Sequence, residues 1–137
     1  MSTIRPFKGI RPAADLAASI AALPYDVYSS SEARTIVRAN PLSFLKIDRA
    51  ETLMPENTDI YSPEVYQTAR RTLDAMITDG SFIQDNTACY YIYALTMDGR
   101  TQTGLAGCAA IDDYLNGVIL KHENTLAAKE EDRVHHV

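Results

Sequence analysis

The residues most able to do chemistry are crowded into the last seventeen positions. Lys121, His122 and Glu123 come first, followed by Lys129, Glu130, Glu131, Asp132, Arg133, His135 and His136. On a helix Lys129 and Arg133 are neighbours one turn apart, as are Asp132 and His136, while Glu131 and His135 share another face. Lysine and arginine hold phosphate oxygens, a carboxylate holds Mg²⁺, and histidine or glutamate moves protons. The set suits phosphoryl transfer. His122 or Glu123 would be the base or phosphate acceptor, Lys121, Lys129 and Arg133 the phosphate ligands, and Glu130 or Asp132 the Mg²⁺ ligand. Charges at period four also describe an ordinary solvated helix, and both readings stay open. The His122-Glu123 pair invites a comparison with zinc proteases. Their helix needs a second histidine three residues after the glutamate, where this chain has Leu126. No zinc is expected.

Elsewhere the candidates are single residues. Asp26, after Pro24-Tyr25, could ligate a metal or accept a hydrogen bond from a substrate amine, or simply bond its own turn. Arg11, Asp48 and Arg49 are candidate phosphate or carboxylate contacts, or lone surface charges. No glycine-rich phosphate loop is present, because Gly104-Leu105-Ala106-Gly107 falls within a strand pattern.

Several elements must position these groups. Ile4 to Pro12 reads as extended, anchored by Phe7. Ala13 to Leu23 has helical spacing and stops at Pro24. Ser29 with Glu32 makes a capping box that opens a helix to about Arg38, with Ala33, Ile36 and Val37 inward and Asn40-Pro41 as its end. Ser43 to Asp48 reads as a strand, and Glu51 to Tyr61 as a long polar loop. Ser62-Pro63 caps a helix whose stripe is Val65, Ala69, Leu73, Met76 and Ile77, closed by Gly80. Residues 88–111 read as a hairpin turning at Asp98-Gly99, with Tyr93 opposite Gly104. Its apolar residues on both faces place it mid-sheet. The same register makes Cys89 and Cys108 neighbours, read as two buried, reduced thiols, with a disulfide and a metal or redox site as the lesser alternatives. Val118-Ile119-Leu120 reads as a short strand that delivers Lys121 to Glu123, and a helix begins near Thr125. The expected class is α+β, a small mixed sheet centred on the 88–111 hairpin with helices packed on it.

The chain has 137 residues, 46% of them apolar, and a formal charge of −5. That length predicts one domain, 1–137. The negative balance argues against a nucleic-acid partner, no apolar run reaches the roughly 18 residues of a membrane span, and the start lacks an apolar leader. A cytoplasmic protein with a small-molecule substrate is expected, with a homo-oligomer left open. The dense charge at the end reads as a chain cut inside its site, so those side chains are expected to be partly exposed, or covered by a neighbouring molecule, with no closed pocket.

The runs Pro6-Phe7-Lys8-Gly9-Ile10-Arg11-Pro12, Pro24-Tyr25-Asp26-Val27, Asn40-Pro41-Leu42-Ser43-Phe44-Leu45, Asp48-Arg49 and Gln102-Thr103-Gly104-Leu105 resemble domain-of-unknown-function family 1015. So does Lys121-His122-Glu123 before Thr125, with Lys129-Glu130, Asp132-Arg133 and His136 beyond it. The chain departs from the family pattern at Leu126-Ala127-Ala128, where a proline is expected. Family members are longer, so the resemblance implies an amino-terminal portion. It further implies kinship with the ParB/sulfiredoxin-like nucleotide-binding group, which includes free-serine kinases. On that footing the chain is a nucleotide-dependent phosphoryl-transfer enzyme of serine metabolism, acting on serine or phosphoserine with a nucleotide and Mg²⁺, or the amino-terminal part of one. The alternative is a non-catalytic ParB-like binding or regulatory module. An enzyme would bring base, cations and carboxylates to one pocket. A module would leave them spread over a solvated helix.

Overall fold

The computed structural model describes residues 3–120 and 127–136. They form an α+β fold of two compact units, Met1–Arg11 with Gln84–Asn124 and Pro12–Ile83 with Thr125–Val137. The chain passes from one unit to the other within β2 (Ile10–Pro12) and again within β3 (Phe82–Gln84). Among the described residues no helix is long and apolar enough to cross a membrane.

The second unit holds the buried apolar residues. Its first helix, α1 (Ala17–Ile20), stops short of the expected Leu23. The residue that should donate to the Ile20 carbonyl is Pro24, which has no N–H, and the Phe44 amide takes that carbonyl instead at 2.7 Å. A 3₁₀ turn, Tyr25–Val27, leads to α2 (Ser30–Ala39), which opens with the expected capping box: Ser29 N–H donates to Glu32 Oε2 at 2.8 Å. Ala33 and Val37 face inward.

Ser43 to Asp48 is not a strand. It contains a one-turn helix, α3 (Leu45–Asp48). Asn40 Oδ1 accepts from the Leu42 amide and Ser43 Oγ from the Leu45 amide, bonds that favour turns over an extended ladder. Leu45 packs in one apolar cluster with Ala33 and Val37, and Ile47 in another with Ile20, Val65 and Met76. A single helical turn buried on two sides has the same alternation as a strand.

The expected loop after it starts as a second 3₁₀ turn, Ala50–Leu53. The buried Arg34 guanidinium holds it by donating to the carbonyls of Thr52, Met54 and Pro55. Helix α4 (Pro63–Thr78) follows, with Val65, Ala69 and Met76 buried as the stripe requires. Ser62 occupies the cap position, yet its hydroxyl makes no capping bond. Helix α6 (Ala127–His136) packs against α4.

In the first unit β4 (Tyr91–Met97) and β5 (Arg100–Ala106) form the expected hairpin. Asp98 and Gly99 both have positive φ, 51° and 74°, and Tyr93 pairs with Gly104. Its place differs from expectation, because β4 and β5 form a sheet of two strands only, leaving Ile92 72% and Met97 77% exposed. Apolar residues on both faces therefore do not mean a central strand here.

The hairpin register does not extend to the cysteines. Cys89 exchanges both backbone hydrogen bonds with Phe7, at 2.9 and 3.0 Å, and Cys108 pairs with Arg5 in β6 (Cys108–Ala109) against β1 (Ile4–Arg5). The groups Cys89 would offer Cys108 are already used. Both thiols are free, Cys89 half-buried and Cys108 exposed. After α5 (Ile111–Leu115) no strand forms at Val118–Leu120, since Ile119 N–H folds back onto the Asp113 carbonyl at 2.9 Å.

Arg11 serves this unit. Its Nε and Nη2 donate to Asp85 at 3.0 and 2.6 Å. Tyr91 Oη donates to Asp85 at 2.6 Å and accepts from the Gly9 amide at 2.6 Å. A Cβ at Gly9 would stand 2.7 Å from that oxygen, which is why the position needs glycine. Arg11, and then Tyr91, hold the Asp85 carboxyl below its ordinary range. A depressed carboxylate stabilises the fold above its unfolded pKa and loses that contribution as pH falls through the folded value. The Tyr91 ring resonances should therefore stay constant from pH 7 to about 4 and shift below that. Asp85→Asn should move them to the low-pH position at neutral pH. A Tyr91 titration in the variant identical to wild type would refute the link.

Candidate functional site

Three sequence motifs meet in the second unit. The Tyr25–Val27 turn contributes Tyr25 and Asp26, the end of α3 contributes Asp48 and then Arg49, and α6 contributes Asp132 and Arg133. Together with Tyr28, Glu51, Tyr61 and others they line a half-open cleft of about 210 Å³. That is below the roughly 300–1,000 Å³ of pockets for drug-sized ligands, so the cleft suits a small metabolite.

Arg133 is one of the residues that line it. The guanidinium donates to Asp132 Oδ2 through Nε at 3.2 Å and Nη2 at 2.7 Å, and lies 3.5 Å from Asp48 Oδ1. Its carbon sits 4.0 Å from the centroid of the Tyr25 ring, a cation–π contact. Burial works against its charge, but the hydrogen bonds it donates to Asp132 and the nearby charges of Asp132, Tyr25 and Asp48 together outweigh it, so its pKa is raised. Tyr66 Oη on α4 donates to Asp132 Oδ1 at 2.9 Å. Burial first, and then this bond, push the Tyr66 phenol up to about 12. The His135 ring stacks on Tyr66 with centroids 5.6 Å apart. Asp132 is thus aimed by α4 and by its own helix.

Arg49 is not presented as a ligand contact. Its guanidinium is bonded to Glu51 Oε1 at 2.6 Å, to Ser30 Oγ at 2.6 Å, and to the carbonyls of Tyr25 and Tyr28 at 3.2 and 2.8 Å.

Of the residues singled out from the sequence, Asp26, Asp132 and Arg133 come together, with Asp48 beside them. Arg11 does not join them and is bonded to Asp85 in the first unit. Lys121, His122 and Glu123 lie outside the described residues, and so does the side chain of Lys129. Glu130 is exposed. Two positions along a helix put it about 200° around from Asp132. Among the described residues no three histidine, cysteine or carboxylate side chains gather as a metal site. Tyr25, Tyr61, Tyr66 and Glu51 were not legible as site residues. For Tyr25 the signal was its place beside Asp26; for the others there was none.

A family model described as a protein of unknown function, DUF1015, matches residues 4–137. The chain belongs to the DUF1015 family. No curated protein and no solved structure matches it. The DUF1015 match spans all three stretches that build the cleft, Tyr25-Asp26, Asp48-Arg49 and Asp132-Arg133.

Proposed function

We propose that this DUF1015 chain carries the substrate site of a phosphoryl-transfer enzyme that acts on a small zwitterionic molecule of the serine or phosphoserine type. The observation that supports this reading is the convergence of Asp26, Asp48, Asp132 and Arg133 on one metabolite-sized cleft. A zwitterion needs a cation for its carboxylate or phosphate and a carboxylate for its amine. Arg133 keeps further N–H donors beyond those given to Asp132, because a guanidinium carries five. Asp26, an exposed carboxylate of the lining, suits the amine. Carboxylates outnumber guanidinium groups in the lining, so a lone phosphate is a poorer match than a molecule that also carries a positive group. Lys121, His122 and Glu123 would supply the additional cation and the proton-transfer group. A nucleotide would bring its own Mg²⁺, which neutralises phosphate charge.

A melting-temperature screen with serine, phosphoserine and Mg²⁺-nucleotide tests the proposal. A ligand at a hundred times its dissociation constant adds about 2.7 kcal/mol to native stability, enough to raise the melting temperature by several degrees. Serine or phosphoserine is expected to do so, and 3-hydroxypropionate, which lacks the amine, is not. No shift with either amino acid at millimolar concentration would end this reading.

A further inference from the structure

Arg49 faces the cleft but spends its hydrogen bonds on the wall. Two of its bonds go to the carbonyls of Tyr25 and Tyr28, which bracket the 3₁₀ turn. The other two go to Ser30 at the start of α2 and to Glu51. Glu51 Oε1 in turn accepts from Ser30 Oγ at 3.5 Å. The Arg49 and Glu51 side chains are only 14% and 4% exposed, so neither charge is free to leave its partner cheaply. One planar fork ties together the turn, the first residue of α2 and the second 3₁₀ turn. A lysine ammonium has three donors on a flexible stem and cannot span the same acceptors.

We infer that Arg49, held in place by Glu51, is a positioning residue: it fixes the Tyr25–Tyr28 turn and thereby where Tyr25 and Asp26 stand in the cleft. The inference rests on reading the cleft as a ligand site. Arg49 then matters to binding without touching the ligand.

The test uses the whole chain carrying Arg49→Lys or Glu51→Gln, with Ser30→Ala as a milder variant should either fold poorly. The first readout needs no ligand. The Val27 amide donates to the Pro24 carbonyl at 3.1 Å and reports the turn by hydrogen exchange. In Arg49→Lys and Glu51→Gln it should exchange roughly tenfold faster, while the amides of α4 keep their rates. The second readout is phosphoserine affinity by calorimetry, expected to fall about tenfold along with the loss of turn protection. Unchanged Val27 exchange overturns the inference. So does an equal rise throughout α4, which would make the pair a general support of the fold. Faster Val27 exchange with unaltered phosphoserine affinity also overturns it. If wild type binds neither serine nor phosphoserine while Val27 still responds, the turn-positioning role stands and the proposed function falls.

Discussion

Arg133→Gln is expected to weaken phosphoserine binding about 10–100-fold while leaving the chain folded. The effect on binding is large because one guanidinium performs three tasks. It spans Asp132 and Asp48, covers the face of Tyr25, and in the proposed function is the cation that would meet the ligand's anionic group. Charge-assisted bonds of this kind contribute about 1.5–3 kcal/mol each, and tenfold in affinity is about 1.4 kcal/mol. The effect on stability is small, about 1 kcal/mol, because the side chain is 35% exposed and water can replace part of what is lost. Serine should lose less affinity than phosphoserine, since it presents only a carboxylate to Arg133. Calorimetric titrations of both ligands, set beside a urea melt, separate the two quantities. Equal affinities in wild type and variant would remove Arg133 from the site. A collapse of the urea midpoint would make it a structural clamp between α6 and the turn.

Arg34→Met should cost about 2–4 kcal/mol of stability and lower the melting temperature by roughly 10 °C. Arg34 is 8% exposed and donates to three carbonyls of the 52–55 segment, those of Thr52, Met54 and Pro55. Methionine fills the space and donates nothing, so buried acceptors are left without partners. The urea midpoint should fall with an unchanged slope, as for a loss of stability without a change in the surface exposed on unfolding. Arg38, four residues along the same helix, is the control. It reaches Glu56 only at 3.9 Å with both side chains largely exposed, and Arg38→Met should leave the midpoint where it was. Equal effects at the two positions would refute the account of the 52–55 segment.

The elements read correctly from the sequence are those whose information is local. The Ser29–Glu32 box, the Val65–Met76 stripe with Gly80 behind it, and the Asp98-Gly99 turn each lie within one element. Cap chemistry, helical period and positive φ act over a few residues, so the chain states them directly. The charged cluster on α6 was visible for the same reason, as was Asp26 beside Tyr25. The errors came where a neighbour decided. Leu45 and Ile47 look like a strand until two separate apolar clusters claim them. Cys89 looks like the partner of Cys108 until Phe7 takes both its backbone bonds. Val118–Leu120 looks like a strand until its central amide turns back to Asp113.

By itself, then, the sequence determined an α+β chain, the capping box of α2, the hairpin register, and the carboxylates and guanidinium groups available for binding. Only the tertiary structure decided that Asp26, Asp48 and Asp132 share one cleft with Arg133, that Arg11 serves elsewhere, and that Arg34 and Arg49 are scaffold. The physical reason lies in their acceptors. Most of the bonds that occupy Arg34 and Arg49 end on backbone carbonyls. Every residue carries such a carbonyl, so no residue type marks where an arginine will find one.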